Sequence, residues 1–69
     1  PYVRGDVETV QKHLEAMKAV GIIEMQMYAT TALAGIKFAA QRGVCKDADV
    51  KVMTKLLNTY ISENPIEYN

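Results

Sequence analysis

The chain has one cysteine, Cys45, one histidine, His13, and no tryptophan. A lone cysteine excludes an intramolecular disulfide. Beside a lone histidine it leaves carboxylates as the only abundant zinc ligands, against the metal's preference for nitrogen and sulfur, so no metal site is expected. An excess of either charge is also lacking, since eight basic residues balance eight acidic ones. Nucleic-acid binders draw affinity from clustered lysine and arginine on phosphate, and helices that lie on anionic membranes need a similar basic surplus. Neither partner is therefore expected. Long apolar runs are missing too. The uncharged stretch Met25–Ile36 rises only about 18 Å as a helix, against a bilayer core of ~30 Å. The opening residues, Pro1 to Asp6, have neither the basic region nor the apolar run of a signal peptide. A free cysteine suits a reducing cytoplasm, and a start at proline rather than methionine leads us to expect a piece of a longer protein.

What is present has helical periodicity. Val7, Val10, Leu14 and Met17 recur at spacings of three and four, which is one face of a helix. Asp6 is placed to cap it, Gly5 permits an abrupt turn before it, and Glu8 with Lys12 makes a favourable pair one turn apart. Gly21 is the expected stop. A third segment begins near Asp47, read as its N-cap, with Val50, Met53, Leu57 and Tyr60 as the apolar stripe and Lys51 and Lys55 facing water. Asn64-Pro65 ends it, because proline disfavours helix in the residue before it. No alternating run flanked by turn residues exists, so no strands are expected. The spacing predicts helices over 7–19, 22–42 and 47–62 in one all-α domain covering residues 1–69.

The middle segment differs in kind. Between Glu24 and Lys37 it has no charge, and a helix that is apolar or small on most sides is normally buried on most sides. Two short flanking helices cannot surround it. The small residues Ala29, Ala32, Ala34, Gly35, Ala39 and Ala40 then read as an exposed strip that another helix could approach closely. Lys37 and Arg42 suit the negative end of the helix dipole, and Gly43 suits a left-handed C-terminal cap. A domain of this size buries only ~60% of the surface its unfolded chain exposes. A three-helix, bundle-like module completed by dimerisation or by a parent domain is the expected architecture.

Little of the chemistry stands out. His13, beside Leu14, should sit at the edge of the first apolar stripe. It reads either as a general acid or base, from its unperturbed pKa of ~6.5, or as a boundary histidine bonded to a neighbouring segment. Arg4-Gly5-Asp6 matches an integrin adhesion tripeptide, but it runs straight into a helix, so a turn and cap is the plainer account. Arg4 could then meet an anionic ligand or form an ion pair. Met17, Met25, Met27 and Met53 read as core filler or as an adaptable groove. Cys45 lies near a helix N-terminus, which lowers a thiol's pKa, yet an incidental small residue is the simpler reading. No glycine-rich phosphate loop is present.

The opening stretch Pro1-Tyr2-Val3-Arg4-Gly5-Asp6-Val7-Glu8-Thr9-Val10-Gln11-Lys12-His13-Leu14 resembles the start of the C-terminal helical domain in a family of Rossmann-like oxidoreductases to which NADP dependence is ascribed. These belong to the wider group that includes 6-phosphogluconate dehydrogenase. The pattern continues through Tyr28, Ala32, Leu33, Ile36 and Ala39, then Gly43-Val44 and a closing helix ending in Leu56-Leu57. The resemblance implies an upstream Rossmann domain that binds NADP, with no cofactor held by this chain and no activity of the chain alone. It further implies that the helical domain closes a substrate cleft and builds a dimer interface. His13 and Arg4 would be the catalytic candidates, with Asp6, Thr9 and Tyr28 in a cleft or structural role. Ala29, Ala32, Gly35, Ile36 and Ala39 would form the oligomer contact. The alternative is a non-enzymatic helical interaction or oligomerisation module, in which Arg4 and His13 have no special role. A helix-turn-helix DNA reader ranks lower, because Lys46, Lys51 and Lys55 of the third segment face two aspartates.

Overall fold

The computed structural model describes residues 6–67. Arg4 and Gly5, with the expectations placed on them, lie outside the described residues. Three helices follow in order: α1 (Val7–Val20), α2 (Ile22–Gln41) and α3 (Asp47–Glu63). Among the described residues there is no strand, and no helix is long and apolar enough to cross a membrane. α2 packs against both other helices, while α1 and α3 meet over a smaller area.

Each boundary has a local cause. Asp6 caps α1, accepting the Thr9 backbone N–H at 3.2 Å and the Thr9 hydroxyl at 2.8 Å. One residue, Gly21, separates α1 from α2. Its N–H donates to the Met17 carbonyl at 3.0 Å, and its own carbonyl accepts the Met25 N–H at 3.1 Å, so it closes one helix and opens the next. α2 ends in a Schellman motif at Gly43, which takes the left-handed φ of 69°. The Gly43 N–H donates to Ala40 and the Val44 N–H to Ala39, each at 3.1 Å, and these bonds satisfy two carbonyls of the last turn.

The start of α3 corrects the reading of Asp47 as its cap. Lys46 occupies that position, with extended backbone and no side-chain cap, and Asp47 is the first helical residue. The Val50 N–H reaches the Lys46 carbonyl at 3.0 Å, so the first turn closes one residue earlier than the carboxylate suggested. Asp47 and Asp49 then act on the helix dipole from inside the first turn. At the other end, the Asn64 side chain donates to the Tyr60 carbonyl at 2.9 Å.

The core is made by Val10 and Leu14 of α1, Met25, Ala29, Ala32 and Ile36 of α2, and Met53 and Leu57 of α3. Ala39 is buried as well. The residues expected at the oligomer contact fall mostly in this interior. Ala29, Ala32, Ile36 and Ala39 are at most 4% exposed within the single chain, leaving only Gly35 of that set partly exposed. The reason is spacing: positions 25, 29, 32, 36 and 39 step by four and three along one face of α2, and both flanking helices pack there. The small side chains among them, Ala29, Ala32 and Ala39, let α1 and α3 approach α2, so their smallness serves the interior. The face left to solvent carries larger residues: Ile23, Met27 and Phe38.

Candidate functional site

Asp6, Thr9 and His13 step along α1 by three and four residues and so share one of its faces. Tyr28 meets that face from α2. His13 lies eight residues before Gly21 and Tyr28 seven after it, so a helical hairpin turning at Gly21 brings the two level. The His13 Nδ1 and the Tyr28 hydroxyl are 3.0 Å apart, and the rings meet edge to face with centroids 5.8 Å apart. With neutral imidazole protonated at Nε2, the tyrosine hydroxyl donates; with imidazolium, Nδ1 donates. A proton can therefore be held at either atom of the pair. Of the cleft residues implied by the resemblance, the structure brings His13 to Tyr28 and Asp6 to Thr9.

Tyr28 also borders an open cavity of about 320 Å³ in the groove between α1 and α2. Met17, Met27, Thr31 and Ala32 form its apolar wall, and Glu24 supplies a carboxylate. On the other flank of α2, a second shallow cavity is lined by Ile23, Gln26, Met27, Thr30, Thr31 and Ile66. The outer ridge of α2 thus stands between two grooves, with Met27 and Thr31 shared by both.

The four methionines divide by position. Met25 and Met53 are fully buried in the core, Met17 is half-buried, and Met27 is exposed. Cys45 is a half-buried free thiol in the segment before α3 and packs against the core. Among the described residues no group of three or more His, Cys, Asp or Glu side chains is placed to hold a metal ion.

Several contacts were missed by sequence reasoning. The Gln26 side chain donates to the Ile61 and Asn64 carbonyls at 3.0 and 2.6 Å, tying the end of α3 to α2. Tyr60 donates a short hydrogen bond to the Glu15 carboxylate, joining α3 to α1. The Arg42 guanidinium lies 4.6 Å over the Phe38 ring. Only the last pair leaves a local signal, an aromatic and an arginine four apart on one helix. The others join residues distant in sequence and depend on how the helices pack.

Comparison with family models, with curated proteins and with solved structures found no match.

Proposed function

We propose that the chain is a helical association module that docks another helix on the outer face of α2. The observation that carries this is the composition of that face. Ile23, Met27 and Phe38 are each more than half exposed on a helix whose opposite side already fills the core. Apolar side chains spread along one helix cost solvation while they face water, and covering them with a partner recovers it. The flanking grooves give an incoming helix somewhere to seat, and Met27 is a side chain that adapts to irregular contacts.

A second reading is supported by the His13–Tyr28 pair. Both residues belong to the stretch that resembles Rossmann-like oxidoreductases, and a histidine able to exchange a proton with tyrosine suits the edge of a substrate cleft. On this reading the chain is a C-terminal helical domain, NADP is held by an upstream domain, and the compartment is a reducing cytoplasm.

Gene replacement in the intact protein separates the two. The docking reading expects Met27→Lys with Phe38→Asp to abolish function at unchanged protein abundance, with His13→Gln behaving as wild type. The cleft reading expects His13→Gln to abolish function. A Met27→Lys/Phe38→Asp protein that is abundant and fully functional removes the docking reading.

A further inference from the structure

We propose that the helix docked on this face is α2 of a second copy of the chain, packed antiparallel about a two-fold axis. The inference rests on the docking reading above and names its partner. Six residues carry it: the half-buried Glu24, whose carboxylate lies beside Gly21, and the exposed Met27, Thr31, Ala34, Phe38 and Arg42. Glu24 and Arg42 are 42 − 24 = 18 residues apart, and Met27 and Phe38 are 38 − 27 = 11. At about 3.6 residues per turn these are five and three turns, so each pair lies on one meridian of the helix. Thr31 and Ala34 fall between them, and all six occupy an arc of about 80°. The core residues Met25, Ala29, Ala32, Ile36 and Ala39 occupy a separate arc centred about 140° away.

The arrangement is self-complementary. Glu24 and Arg42 have their midpoint at Leu33, and both inner pairs have theirs between Ala32 and Leu33. A two-fold axis there sets Met27 against Phe38 of the second copy and Thr31 against its Ala34. It brings Glu24 near Arg42, and symmetry makes every contact twice. The small central residues allow the helices to cross closely, and the large apolar ones flank the crossing. Neither Glu24 nor Arg42 forms an ion pair within the chain among the described residues, where Lys12–Glu8 is the ion pair found. The Arg42 guanidinium is held against the Phe38 ring, at the rim of the contact.

Charge also decides orientation. A parallel pairing would set Glu24 against Glu24 and Arg42 against Arg42, whereas the antiparallel pairing sets opposite charges together at both ends. Size decides affinity. A helix of this length offers a strip of about 30 by 10 Å, well below the roughly 800 Å² per partner of a standard interface. Even with the flanking grooves engaged, a micromolar, concentration-dependent dimer is expected.

Sedimentation equilibrium of the whole chain from micromolar to millimolar concentration tests this, with circular dichroism as the control on folding. Wild type should dimerise. Glu24→Arg alone and Arg42→Glu alone should each weaken the dimer about tenfold, because two contacts turn from attraction to repulsion at once. The double reversal should recover the wild-type constant to within about threefold. If one single variant fails to fold, the other carries the same test from the opposite end of α2. A monomer throughout overturns the second copy as partner, and single reversals that dimerise like wild type overturn the register. A monomeric chain whose Met27→Lys/Phe38→Asp variant still loses function would leave the docking face standing with a different helix. A dimer whose variant keeps function would instead sink the docking reading.

Discussion

Tyr60 shows how a side-chain contact becomes a pH dependence. Its hydroxyl donates to Glu15, and that bond, followed by burial and by the negative charge of Glu15, holds the phenol above its ordinary pKa of 10.0. Because the folded pKa is raised, the proton is held more tightly in the native state. The stabilisation is complete below the unfolded value of about 10 and is lost as pH rises through the folded value. Spectrophotometric titration should therefore show tyrosine ionisation lagging in the wild type, and Glu15→Gln should shift the lagging component down. Identical curves for the two proteins would mean that the bond does not form in solution. None of this was legible beforehand, because Glu15 and Tyr60 are 45 residues apart and meet only through the packing of α1 on α3. His13 was more readable. Its place at the edge of the α1 stripe follows from spacing, and only the identity of Tyr28 as its partner needed the hairpin.

At the scale of the element, each helix boundary is a small independent experiment. Gly43 holds a φ of 69°, and a Cβ added there would meet no atom within 4 Å. Gly43→Ala should thus cost only backbone strain, about 1 kcal/mol, with Asn in its place costing less. Equilibrium unfolding reads this directly, and a neutral alanine would mean that the cap is not left-handed in solution. Gln26 ties α2 to the end of α3. Gln26→Ala should cost roughly 1–3 kcal/mol, because it strips a shared donor from two part-buried carbonyls. Chemical denaturation checks it, and a loss well under this range would mean that water replaces the amide. The helices themselves were legible from spacings of three and four, because periodicity reports which side of a helix faces the core. Two things were not. Asp47 reads as a cap by residue type, but backbone geometry puts Lys46 there. Ala29, Ala32 and Ala39 of α2 read as part of an outward strip by size, yet their spacing places them inside, while Ala34 and Ala40 are exposed.

For the whole molecule, the inside and outside of α2 are the central question. A domain of this length has a stability of roughly 3–10 kcal/mol, so one overpacked core residue removes a large share of it. A residue on the outer face of α2 has no such leverage on a single chain. Dimer formation would add stability by mass action, so the comparison belongs at concentrations where the chain is monomeric. The docking face, the second copy and the interior role of Ala29, Ala32 and Ala39 all require Met27 outside and Ala32 inside.

Urea unfolding of Met27→Lys and Ala32→Leu beside the wild type, at low concentration, tests that requirement most directly. Met27→Lys should unfold within about 0.5 kcal/mol of wild type, and Ala32→Leu should lose about 1–3 kcal/mol to overpacking. The reverse order, with lysine at Met27 disabling the fold and leucine at Ala32 tolerated, would turn α2 over and take the docking face with it.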